Sequence, residues 1–175
     1  MKTLLLVRHA KSEQKSYKGK ERNRPITKRG ARLAKSTAVL MRAKGIIPQF
    51  ILASPAKKSV QTVEIIARET GFSGKIKYRE ALYMAEADGL LKVLRKLDDE
   101  FECVLIVGHN PGLESLIPTL THEIAALPHA GLAWLCLPVD SWGEVTESTL
   151  AQLVEVWDPH KDEAEGAVQA ELQEA

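Results

Sequence analysis

Four short apolar runs punctuate the chain: Thr3 to Val7, Phe50 to Ala53, Cys103 to Val107 and Leu132 to Leu137. Their near-continuous apolar character is that of strands covered on both faces, not of strands with one wet face. A fifth run, Leu150 to Trp157, alternates more and reads as an edge strand. Helical periodicity fills the intervals. From Lys28 to Lys44 the apolar positions include Leu33, Leu40 and Met41, with Thr27 placed to cap the start and Gly45 to close the end. Ser54-Pro55 reads as the start of a second helix, serine capping free amides and proline suiting the first position, and Gly71 marks its end near Thr70. Asp88 is placed to cap a third helix that sets Leu90, Leu91, Leu94 and Leu97 on one face, and Pro111-Gly112 opens a shorter fourth toward Leu120. Strands alternating with helices predict an α/β domain with a mostly parallel sheet.

At 175 residues, 45% hydrophobic and 27% charged, the composition is that of a globular chain that can bury a sizeable core. We expect one domain over residues 1–160 and a disordered acidic tail over 161–175, where large apolar residues are nearly absent. No run reaches the length of a membrane helix, and the apolar start breaks at Arg8-His9, too early for a secretory leader. Cys103 and Cys136 each lie inside an apolar run, so they read as core residues, and the expected compartment is the reducing cytoplasm.

The net charge of +1 conceals a gradient. Residues 1–50 hold 14 Lys/Arg and 2 Asp/Glu, residues 51–100 hold 9 and 8, and the last 75 hold 1 and 13. The basic third contains only Tyr17 as an aromatic before Gly45, which argues against a nucleic-acid surface. Its loop cations, Lys11, Lys15, Lys18, Lys20 and Arg22, read either as steering an acidic partner or as a solvated face.

In a parallel α/β sheet ligands gather beyond the carboxyl ends of the strands. The first strand runs into Arg8-His9-Ala10-Lys11-Ser12, the second into Ser54-Pro55-Ala56-Lys57-Lys58, and the third into Gly108-His109-Asn110-Pro111-Gly112. Two histidines, an arginine, a lysine and a helix start on one edge describe a site for a tetrahedral dianion. There a neutral imidazole can attack phosphorus to form a phosphohistidine that water hydrolyses, while Arg8, Lys58 and a protonated or hydrogen-bonding His109 offset the developing charge. This scheme uses no metal and no cofactor. His122, His129 and His160 have no partner at ligand spacing and read as structural. His122-Glu123 begins like a zinc-protease motif, but Ala126 stands where its second histidine belongs. Glycine-rich nucleotide loops of the usual kinds are absent from the sequence.

Val7-Arg8-His9-Ala10-Lys11-Ser12 resembles the Arg-His-Gly signature of the histidine phosphatase superfamily, with the Ala10 form of its small SixA-type phosphohistidine phosphatase branch. Ser54-Pro55-Ala56-Lys57-Lys58-Ser59-Val60-Gln61-Thr62 and Val107-Gly108-His109-Asn110-Pro111-Gly112-Leu113-Glu114 resemble its second and third motifs. Arg24-Pro25 with Arg29-Gly30, Ala81-Leu82-Tyr83 and Asp140-Ser141-Trp142 follow in family order. The resemblance covers about residues 1–158. It implies a phosphoglycerate-mutase-like three-layer sandwich, a mostly parallel central sheet flanked by helices. His9 would be the phosphorylated nucleophile, Arg8 and His109 phosphate-pocket residues, Lys58 the occupant of a position usually held by arginine, and Arg24 a further cation. Asn23 stands where the branch commonly has aspartate.

The larger relatives protonate an alkoxide leaving group with a carboxylate. No motif identifies one here, and Glu80 and Glu86 are the candidates. A phosphohistidine leaves as imidazole, whose conjugate acid has a pKa of about 6.5, so it departs with little help. The expected function is therefore dephosphorylation of a phosphohistidine protein, such as a histidine phosphotransfer domain. A phosphatase for small phosphate esters and a non-catalytic phosphate-binding module are the alternatives. Neither a membrane nor a nucleic acid is an expected partner.

Overall fold

The computed structural model describes residues 1–14 and 18–163. Six strands form one sheet: β1 (Lys2–Arg8), β2 (Phe50–Ala53), β3 (Lys75–Tyr78), β4 (Cys103–Gly108), β5 (Leu132–Leu137) and β6 (Gln152–Trp157). Their order is β3-β2-β4-β1-β5-β6, with β3, β2, β4 and β1 pairing in parallel. β5 alone is reversed, pairing antiparallel with both β1 and β6. The sheet is thus mostly parallel, as the apolar runs predict, and Gln152–Trp157 is an edge strand. Pairing with β5 exposes a different lesson. Thr3 lies opposite both Cys103 and Cys136, so β1 separates the two thiols by about 10 Å, two strand spacings, beyond the reach of a disulfide.

Alternation along β1 divides the core. Leu4 and Leu6 face a cluster with α3 (Ala87–Leu94) and α4 (Gly112–Thr121) through Leu90, Leu94 and Leu116. Leu5 and Val7 face α1 (Lys28–Ala43) and α2 (Lys57–Thr70) through Ala38, Met41, Val63 and Ile66. Helices on both sides of the sheet make the three layers. Within its layer, Gly112 lets α4 approach the segment before α3, because a Cβ there would stand 1.8 Å from the carbonyl oxygen of Ala85.

The helix starts differ in detail from the sequence expectation. Thr27 does cap α1, its side chain accepting the Gly30 amide at 2.9 Å, and Gly71 closes α2 in the left-handed region at φ 71°. However, α2 begins at Lys57 with Ala56 in the capping position, and Ser54 lies outside the helix. Glu86, not Asp88, precedes α3, and Asp88 sits in its first turn. β3 was not legible because Lys75-Ile76-Lys77-Tyr78 is short, mostly exposed and half cationic. Residues 159–163 are helical, and Glu163 pairs with Arg29 and Arg32 of α1. The rest of the expected acidic tail, 164–175, lies outside the described residues, as do Lys15 and Tyr17. No helix among the described residues is long and apolar enough to cross a membrane.

Candidate active site

The parallel strands β1, β2 and β4 end at the same edge of the sheet, which brings residues from three distant segments together. His9 follows β1 and His109 follows β4, and the His9 amide donates to the Gly108 carbonyl at 3.0 Å. Both imidazoles are buried, with ring centroids 5.0 Å apart. The loop after β1 is anchored by the segment around α2. Thr62 Oγ1 accepts the Ala10 amide at 3.0 Å, and Gln61 Oε1 accepts the Ile26 amide at 2.9 Å.

The hydrogen-bond partners set the tautomer of His9. Its Nδ1 lies 2.8 Å from the Ala10 carbonyl oxygen, which only accepts, so Nδ1 carries the hydrogen and Nε2 the lone pair. Burial lowers the His9 pKa to about 3, and the charges of Lys58, His109 and His129 push it the same way. Neutral imidazole with a free Nε2 lone pair is the nucleophilic form. Of the two states the sequence allows for His109, protonated or hydrogen-bonding, the second is found. Its Nε2 pairs with Ser54 Oγ at 2.7 Å, and burial followed by the Lys58 charge lowers its pKa to about 4. Ser54, read in the sequence as a helix cap, therefore orients this ring and also accepts the Ala56 amide.

The charges of Arg8 and Lys58 reach the rings, and that of Arg24 reaches Glu21. Arg8 is half-buried; its Nη1 donates to the Leu127 carbonyl at a long 3.4 Å and its Nε is buried without a partner. Arg24 likewise has a buried, unpartnered Nε. Such spare donors suit an incoming anion. Lys58, in the first turn of α2, is buried and hydrogen-bonds the Glu21 carboxylate. Glu21 also accepts the Tyr83 hydroxyl at 3.0 Å, and the Tyr83 ring meets His109 edge-on at 5.5 Å. The Lys58 hydrogen bond chiefly, with help from Tyr83 and the Arg24 charge, holds the Glu21 carboxyl below its ordinary range.

Two contributors escaped the sequence reading. Glu21, in a 3-10 turn over Glu21–Asn23, is the carboxylate placed on Lys58; the sequence candidates lie elsewhere. Glu80 is exposed and paired with Arg22, which also stacks over Tyr83 at 5.1 Å, so Arg22 is not a spare steering cation. Glu86 is exposed at the start of α3 with no side-chain cap bond. His129, read as structural, has its ring 5.4 Å from that of His9. Burial first and the Arg8 charge next lower its pKa to about 4. The Ala130 amide, which donates to the Arg8 carbonyl at 3.0 Å, and Glu114, which accepts the Leu127 amide at 2.7 Å, pin its loop. The His160 Nε2 lies 3.2 Å from the His129 carbonyl oxygen, and His122 is exposed at the end of α4. Among the described residues no group of three or more His, Cys, Asp or Glu is placed to hold a metal ion.

These imidazoles make stability pH-dependent. Each stays neutral in the folded protein well below its ordinary 6.5, so between 6.5 and about 4 the unfolded chain binds more protons. Their contribution is complete above pH 6.5 and is lost as pH falls toward the folded values. Buried His9 alone contributes a slope of about 1.4 kcal/mol per pH unit in that window. Urea unfolding at pH 7, 6 and 5 should show falling stability, with His9→Gln shallower by about one proton; equal slopes would contradict a neutral His9.

The model of the histidine phosphatase superfamily (branch 1) matches residues 4–84, a segment that holds Arg8, His9, Glu21 and Lys58 but not His109. Solved structures share the fold. A SixA-assigned protein of Agrobacterium tumefaciens is 24% identical, with 90% of this chain and 98% of that one covered at a TM-score of 0.78. The protein histidine phosphatase SixA complexed with tungstate is 18% identical, with 91% and 98% covered at 0.78. An uncharacterized chloroplastic protein of Arabidopsis thaliana is 27% identical over 150 residues, 81% of this chain and 69% of its own length. The chain thus carries the histidine phosphatase fold, and its first half matches the superfamily in sequence.

Proposed function

We propose that this protein is a phosphatase that removes the phosphoryl group from a phosphohistidine of another protein. Nε2 of His9 attacks phosphorus, the bond from phosphorus to the substrate imidazole nitrogen breaks, and the departing imidazole takes up a proton. Water then attacks the phosphorus on His9, releasing inorganic phosphate and restoring the neutral ring. Arg8, Arg24, Lys58 and His109 are the groups proposed to hold the phosphoryl oxygens. A reducing compartment such as the cytoplasm suits the two unpaired thiols.

The observation that carries the substrate class is the state of Glu21. An ester needs a protonated acid for its alkoxide, yet Lys58 and Tyr83 keep this carboxylate ionised. Imidazole, a far better leaving group, needs no such donor. In support, one structural neighbour is by name a protein histidine phosphatase. The test compares turnover of a phosphorylated histidine phosphotransfer domain with that of sugar phosphates. A kcat/KM ratio of at least about 10² for the phosphoprotein is expected. Equal rates would favour a small-ester phosphatase, and binding of phosphate with no turnover of either substrate would favour a binding module.

A further inference from the structure

A groove of about 650 Å³ lies on the α3 side of the sheet's β3 edge, away from the histidines. Its floor is apolar, built from Leu52, Val93, Leu97 and the stacked rings of Phe50 and Phe101, whose centroids are 4.7 Å apart and nearly coplanar in orientation at 6°. Two rows of cations line it. Lys75, Lys77 and Arg79 are alternate residues along β3 and its exit, about 7 Å apart on one face. Lys92 in α3 and Lys96 in the turn that follows it stand on the opposite wall. All five are exposed, and among the described residues none has a carboxylate within ion-pair distance, although Asp98 and Glu100 also border the groove.

Charged side chains on an edge strand by themselves guard against strand pairing. That reason covers Lys75 and Lys77 but neither Lys92 and Lys96 nor the apolar floor. Two facing rows of like charge repel each other, and they complement a ligand that is anionic along both flanks and apolar between. Phe50 is only 4% exposed, with Lys77 over its ring at 5.8 Å, so that ring offers no free face for base stacking. The groove also leads toward the site. The Arg79 amide donates to the carbonyl of Ala53, the residue before Ser54, at 3.0 Å, and the turn Glu80–Leu82 then delivers Tyr83 to His109.

We propose that this groove docks an acidic amphipathic segment of the protein whose phosphohistidine is cleaved. The docking role rests on the phosphoprotein reading above, but its binding test does not. Three labelled probes of twelve units would be titrated against the full chain: a peptide alternating Glu and Leu, one alternating Glu and Ser, and an oligouridylate. The Glu/Leu peptide is expected to bind saturably and at least about tenfold tighter than the other two, with affinity falling as salt rises. The double substitution Lys77→Glu/Lys92→Glu should weaken it at least about tenfold, and the milder pair Lys75→Gln/Lys96→Gln in the same direction, both variants keeping the native circular dichroism spectrum. On the phosphoprotein both variants should raise KM and leave kcat and small-substrate rates unchanged. Absence of peptide binding, equal binding by the variants, or RNA binding as tight as the peptide's would overturn the proposal. Peptide binding without turnover of any substrate by wild type would overturn the phosphatase reading and leave the groove an acidic-segment site.

Discussion

Replacing His9 by alanine is expected to lower turnover at least about 10³-fold and to abolish covalent labelling by a phosphodonor. The argument lies in the ring's surroundings. The Ala10 carbonyl accepts the Nδ1 hydrogen, and burial, which lowers the pKa to about 3, keeps the imidazole neutral, so Nε2 offers its lone pair at neutral pH. Wild type pulsed with labelled phosphoprotein and quenched should carry a phosphate that is stable to alkali and lost in acid, as a phosphoramidate is. Label that persists in His9→Ala would move the nucleophile elsewhere. His129 is the first alternative to examine, being 5.4 Å away and also neutral.

Substituting Lys58 by alanine is the second large effect, an expected loss of about 10²-fold in kcat/KM, the size associated with removing one preorganised charge from a developing oxyanion. Lys58 pairs with Glu21, so the same change also removes a hydrogen-bond partner of that exposed carboxylate. The companion substitution Glu21→Gln separates the two effects. It frees Lys58 from a competing anion, and inhibition by tungstate should become stronger, whereas a Glu21 that serves as proton donor would leave anion affinity unchanged and lower kcat on sugar phosphates. Lys58→Arg is expected to retain more activity than Lys58→Ala, because a guanidinium keeps the charge while adding a planar fork. An inactive Lys58→Arg together with an active Lys58→Ala would show that this side chain does not hold the phosphoryl group.

Much of the architecture is legible locally. Burial on both faces requires continuous apolar runs, so β1, β2, β4 and β5 can be read to within a residue or so. Thr27 and Gly71 mark helix ends because a capping hydroxyl and a left-handed backbone are local requirements. Ser54 satisfies the same local pattern, yet its hydroxyl meets His109 across the sheet edge. β3 carries no local signal, since an exposed edge strand is fixed by pairing with β2 and its lysines hide the alternation.

By itself the sequence determined the class of fold and that Arg8-His9, Lys58 and His109 follow three strands ending on one edge, because strand ends in a parallel sheet must converge. Only the tertiary structure decided which groups complete and tune that cluster. Glu21 reaches Lys58 from a loop, His129 reaches His9 from the segment before β5, and Tyr83 reaches His109 from the turn after β3. None of these lies at a fixed spacing from its partner, since contacts between loops follow from packing and not from the period of a helix or strand. The protonation states are tertiary for the same reason. Burial and neighbouring charge keep both histidines neutral, and neither quantity is written in the residues on either side of them.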